Sequence, residues 1–140
     1  MARPVKVLFV CLHGAAKSVI AREHFSRLAR AEGVQVVCSS AGIEPDDRVP
    51  PHVVRGLAED GIEIADSAPR PLSGSEIADA DIVVSFGCEL EPAPASGSVV
   101  RWDDIPAVSD GYAPARDAIV GRLRTLLGAT LSLWPRATDD

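Results

Sequence analysis

The residues with the most chemistry to offer lie near the start of the chain. Positions 5 to 18 read Val-Lys-Val-Leu-Phe-Val-Cys-Leu-His-Gly-Ala-Ala-Lys-Ser: an apolar run that stops at Cys11, a loop of small residues, then a cation and a hydroxyl where a helix should open. A helix start offers amides with no intrahelical acceptor and a partial positive charge, so it attracts an anion and stabilises a thiolate beside it. Cys11 is therefore the candidate nucleophile. Gly14, Ala15 and Ala16 are small enough for the backbone to curl and aim successive N–H groups inward, which makes Leu12, His13, Gly14, Ala15, Ala16, Lys17 and Ser18 a candidate oxyanion cradle. Lys17 adds a full positive charge. Ser18, expected at the helix cap, has a hydroxyl to donate to the sulfur or to the anion.

Other reactive side chains are fewer. Three cysteines, Cys11, Cys38 and Cys88, cannot all pair within one chain, and their spacing matches no zinc pattern. Cys38 falls inside an apolar run and reads as core, whereas Cys88 follows another run and faces the same rim as Cys11. Asp103 and Asp104 are either an acid or base for the site or a solvated turn beside Trp102. His13 lies at the mouth of the loop; His24 and His52 have no cluster around them and read as structural.

These residues need elements to hold them. Apolar runs at 5–10, 34–38, 81–86 and 98–102 are short and continuous, the pattern of strands covered on both faces of a parallel sheet. Helical periodicity lies between them. Residues 18–32 place Ile20, Ala21, Phe25, Leu28 and Ala29 on one face, with Gly33 to end the helix. A second helix over 51–60 turns Val53, Val54, Leu57 and Ala58 inward. A third over 73–79 starts at Ser73 with Glu76 three residues on, and a last over about 113–133 carries Ile119, Leu123, Leu126 and Leu127. This alternation predicts a small open four-stranded parallel α/β sheet flanked by helices on both faces. Ligands of such sheets sit beyond the carboxyl ends of the strands, which makes 11–17, 39–50, 87–97 and 103–112 the functional rim.

With 140 residues, 46% hydrophobic and 24% charged, the chain is expected to form one domain over 1–136 with an acidic tail at 137–140. A net charge of −6 and no basic stripe argue against nucleic acid as a partner. The first residues carry no secretory pattern and no apolar run reaches membrane-span length, so the expected compartment is the cytoplasm.

The string Val-Leu-Phe-Val-Cys-Leu-His-Gly-Ala-Ala-Lys-Ser, followed by Ser39-Ser40-Ala41-Gly42, resembles the low-molecular-weight protein tyrosine phosphatase superfamily and, within it, the arsenate reductases of that fold. The similarity continues through Gly42-Ile43-Glu44-Pro45, Pro69-Arg70-Pro71-Leu72, Val84-Ser85-Phe86-Gly87-Cys88 and Trp102-Asp103-Asp104-Ile105-Pro106, so it covers nearly the whole chain. It implies a three-layer, flavodoxin-like fold, with Cys11 as thiolate nucleophile in a phosphate-binding loop.

Two positions depart from the family pattern. Lys17 stands where the loop of the family ends in Arg, which keeps the attraction for an anion and loses the bidentate fork. The phosphatases also place an Asp-Pro pair after the fourth strand to protonate the leaving group; here Ala107 and Val108 align at that site, leaving Asp104 or Asp103 to substitute. Arsenate needs less from such an acid and more from a second thiol. Cys88 stands where the thioredoxin-linked reductases carry their first resolving cysteine, while Glu91, Pro92 and Ala93 occupy the region of the next one. Completion of a cycle then falls to mycothiol, glutathione or thioredoxin as external reductant. The resemblance thus implies an arsenate reductase-like enzyme with no bound cofactor or metal. Two alternatives remain: a phosphomonoesterase acting on a phosphoprotein through a phosphocysteine, and a degenerate oxyanion-binding protein.

Overall fold

The computed structural model describes residues 3–64, 68–88, 90 and 98–133. The expected acidic tail, 137–140, lies outside them. Four strands, β1 (Val5–Cys11), β2 (Val36–Gly42), β3 (Ile82–Ser85) and β4 (Ser98–Arg101), form one sheet in the order β2-β1-β3-β4, with every pair parallel. Helices α1 (Lys17–Ala31), α2 (Pro51–Glu59), α3 (Gly74–Asp79) and α4 (Tyr112–Leu133) alternate with them. β1 is the chain's most continuously apolar strand and lies at the centre; of its residues only Lys6 is exposed.

The two faces of the sheet are unequal. Val5, Val7, Phe9 and Cys11 of β1 share the larger core with Phe25 of α1, Leu57 of α2 and Ile119 and Leu123 of α4. Leu8 and Val10 turn the other way and meet Ile77 of the short α3 in a smaller cluster. Ser73 caps α3 by accepting a hydrogen bond from the Glu76 amide at 3.2 Å, as its sequence predicts.

Three boundaries differ from the sequence expectation for physical reasons. β2 begins later than expected and runs on through Gly42, because its ladder with β1 pairs Val5 with Val36 and continues in register to Cys11 with Gly42. Ser39 and Ser40 hide that extension from a hydropathy reading, yet buried Ser40 is satisfied by Arg22, whose guanidinium donates to its hydroxyl at 2.9 Å. On α2, Val54 and Ala58 face outward while Val53, Gly56 and Leu57 face the core. Gly56 fixes that rotation: a Cβ there would lie 2.5 Å from the ring of Tyr112, so a bare backbone lets the first turn of α4 pack against α2. The third shift is at α1, which opens at Lys17 with Ala16 as its cap residue, so Ser18 lies inside the first turn and not at the cap.

Asp60, at the end of α2, joins three helices. It accepts hydrogen bonds from the Tyr112 hydroxyl at 2.7 Å and from Arg116, and lies 3.1 Å from His24 Nε2. Burial pushes the Tyr112 phenol up and holds the His24 imidazole below its ordinary value.

Gly56→Ala is expected to displace the Tyr112 ring, costing about 1–3 kcal/mol of stability, read as a lower urea midpoint with an unchanged slope. His24 makes an acid limb. Its folded pKa lies below the unfolded value of 6.5, so its contribution is intact above that value and is lost as pH falls through the lower folded one. The slope of unfolding free energy against pH between about 7 and about 5 should therefore flatten in His24→Gln.

Candidate functional site

The site is built on a contact between two backbones. Gly14 takes a φ of +61°, and a Cβ on it would lie 2.6 Å from the amide nitrogen of Gly42; a Cβ on Gly42 would lie 2.6 Å from that of Gly14. Only glycine at both positions permits this approach. Beyond it the carbonyls of the loop turn outward: Cys11 O accepts from the Ile43 amide, Leu12 O from Glu44 at 2.7 Å and His13 O from Asp46 at 3.1 Å. Among the described residues, no backbone carbonyl accepts from the amides of Leu12 to Ala16. Those donors stand beside the start of α1, which has no side-chain cap and no acidic residue in its first turn, surroundings that favour an anion.

Cys11 ends the central strand where this loop begins. Its Sγ lies 3.0 Å from the Ser18 hydroxyl, and both residues are buried. A hydroxyl at that distance donates to a thiolate or accepts from a thiol. Lys17 reaches across the mouth, where its Nζ donates to Ile105 O at 3.0 Å. An ammonium has three donors, so this bond leaves two for a guest. Tethering to a carbonyl was not foreseeable from sequence, which showed only a cation near the loop.

Cys88 belongs to the same neighbourhood. It is held in a turn after β3, where the Ser85 hydroxyl accepts from the Cys88 amide at 3.0 Å and donates to its carbonyl at 2.7 Å. Burial pushes its thiol up, the nearby Cys11 adds to that, and Arg101 and Lys17 pull the other way. Cys38 is different: half-buried against the core, its thiol is pushed up to about 11 by burial.

The aspartates after β4 are each paired with an arginine, and Asp103 lies near enough to Cys88 to help raise its thiol. Asp104 is exposed and receives a hydrogen bond at 2.6 Å on each carboxylate oxygen from Arg122 of α4. Asp103 pairs with Arg101 at 3.4 Å. Trp102 packs edge-on against Phe86, with ring centroids 5.6 Å apart, so the segment carrying both carboxylates is anchored at several points.

Above Cys11 lies a cavity of about 300 Å³. Its floor is the 11–17 loop. On the β2 side of β1 its wall is Asp46, Pro50 and His52; on the β3 and β4 side it is Phe86, Ala107, Val108 and Ser109. By sequence His52 reads as structural, although it lies two residues beyond the rim segment 39–50. Asp46 lies 3.4 Å from His13 Nδ1, which also meets Glu44 O at 3.1 Å. Among the described residues, no group of three or more His, Cys, Asp or Glu could hold a metal.

A family model described as low molecular weight phosphotyrosine protein phosphatase matches residues 6–91. A protein-arginine-phosphatase of Bacillus subtilis is 31% identical over 82 residues, 57% of this chain and 54% of that protein. A thioredoxin-dependent arsenate reductase structure from Corynebacterium glutamicum is 32% identical, with a TM-score of 0.76, over 94% of this chain and 65% of that one. An arsenate reductase structure from Archaeoglobus fulgidus is 30% identical, with a TM-score of 0.65, over 87% of this chain and 98% of that one. The chain spans little more than half the length of the curated relatives it matches.

Burial of Cys88 has a direct readout. In Cys11→Ser, alkylation of Cys88 by iodoacetamide at about pH 8 should lag behind that of a free thiol and catch up only at more alkaline pH. Mass spectrometry of the labelled peptide measures it, and labelling at the free-thiol rate would contradict the burial.

Proposed function

Because the chain belongs to the low molecular weight phosphotyrosine protein phosphatase family, we propose that it works as a thiol-dependent arsenate reductase in which Cys11 is the nucleophile. The amides of Leu12, His13, Gly14, Ala15 and Ala16, with Lys17 and Ser18, hold the oxyanion. Cys11 thiolate attacks arsenic, forming an S–As bond while one oxygen leaves as water. A second thiol then attacks Cys11 Sγ: a disulfide forms, the S–As bond breaks, and its electron pair reduces As(V) to arsenite. Cys88 is the second thiol of this proposal, and a reductant of the thioredoxin, mycothiol or glutathione class returns the disulfide to two thiols. Residues 1–136 act as one unit in a reducing cytoplasm, where three free cysteines persist. No helix of the described residues is long and apolar enough to cross a membrane.

One observation carries this choice over hydrolysis of a phosphoprotein. The cavity wall where a phosphatase needs its acid is Ala107, Val108 and Ser109, and Asp104 is occupied by Arg122 on α4. A general acid is typically worth ~100- to 10,000-fold to a poor leaving group. Arsenate exchange followed by thiol attack makes a smaller demand on that wall, and Cys88 lies close enough to Cys11 for the charge of Cys11 to act on its thiol.

Cys11→Ser is expected to abolish arsenate reduction with any thiol donor, measured as arsenite released; an active variant would remove the mechanism. Cys88→Ser should lose the disulfide formed on arsenate exposure and slow turnover with thioredoxin by at least about tenfold. Unchanged turnover would assign resolution to the external thiol. Brisk release of nitrophenol from para-nitrophenyl phosphate, lost in Asp104→Asn, would favour the phosphomonoesterase, and phosphate binding without either activity the oxyanion-binding protein.

A further inference from the structure

Expelling oxygen from arsenic requires a proton, and among the described residues that line the cavity on the β3 and β4 side none is a carboxylic acid. Along the cavity, the described side chains able to transfer a proton at ordinary pH are His13, Asp46 and His52, besides the Cys11 thiol and the Lys17 ammonium. His13 and Asp46 face each other at 3.4 Å, and His13 Nδ1 is further engaged by Glu44 O. Lys17 donates one hydrogen to Ile105 O and keeps the other two for holding the oxyanion. His52 differs from all of these. It is half-buried on the second residue of α2, at the cavity wall, and among the described residues no hydrogen bond or ion pair engages its ring.

We propose that His52 is the proton donor of the site, a catalytic residue supplied from α2 in place of an acid after β4. This rests on the arsenate reductase reading. In the step it serves, Cys11 thiolate forms the S–As bond of a hydrogen arsenate ion, the bond from arsenic to the departing hydroxyl breaks, and the imidazolium of His52 gives that hydroxyl its proton. Water leaves, arsenic stays As(V), and the neutral imidazole is reprotonated from solvent. The titratable groups that share its surroundings are Cys11 from β1, His13 from the loop, Lys17 from α1, Asp46 from the segment after β2 and, on its own helix, Arg55. The lining contributed by 107–109 adds no titratable group.

The test compares the parent protein with His52→Gln and His52→Ala. Arsenite production by His52→Gln should fall ~100-fold or more in kcat, with the alkaline limb of the pH profile gone and phosphate protection of Cys11 against alkylation kept. Imidazole added to His52→Ala should restore part of the rate. Substitution costing less than about threefold, an unchanged profile, or the same limb lost instead in His13→Gln would overturn the proposal. Aryl phosphates separate its failure from that of the reductase reading. If the parent turns over aryl phosphates and not arsenate, the reductase reading fails. His52 is then upheld if His52→Gln loses more rate on phenyl than on para-nitrophenyl phosphate, and overturned if the losses are equal. A parent inactive on both substrates overturns both proposals.

Discussion

The approach of Gly14 to Gly42 is the contact on which the rest of the site depends. Two backbones within van der Waals range leave no room for a side chain at either position, and the loop they pin has its carbonyls drawn outward by the amides of Ile43, Glu44 and Asp46. Each carbonyl turned out commits the peptide plane, and so its N–H, to the opposite side. The amides of Leu12, His13 and Gly14 are thus aimed by hydrogen bonds on the outer surface of the loop. β2 has to reach Gly42 for this, which explains why its ladder runs past the apolar residues that mark its beginning.

Much of this was legible from residue types. Continuous Val, Leu, Ile and Phe runs separated by helical periodicity announced a parallel sheet, and the Cys-loop-Lys-Ser order announced a thiol, a cation and a hydroxyl held around one loop. What escaped was orientation. Val54 and Ala58 look like core residues beside Val53 and Leu57, but Gly56 sets the buried face of α2 through a ring supplied by Tyr112, more than fifty positions away. Likewise Lys17 is visible as a cation, while its partner, the carbonyl of Ile105, carries no signature in the sequence. His52 was passed over because a lone histidine gains meaning only from the walls around it, and those come from four separate segments.

The segment after β4 carries charge close to the site and pairs it with arginines. Asp103 and Asp104 are the carboxylates that sequence offers, and each is turned to an arginine, Arg101 or Arg122. Exposed pairs of this kind contribute little stability, typically ~0–1 kcal/mol. Trp102 packs edge-on against Phe86, and further along the segment Ala107, Val108 and Ser109 line the cavity, so the described wall there carries no charge although the sequence beside it is acidic.

The place of Cys11 at the end of the innermost strand makes the two partners of any sulfur–sulfur bond unequal in freedom. Its backbone is paired with Gly42 in the ladder, its carbonyl holds Ile43, and the preceding residue Val10 is bonded on the other flank through Phe86. A disulfide requires the two α-carbons to come within about 7 Å. A residue gripped from left and right keeps its place, so the position of the partner sulfur decides whether that limit is met.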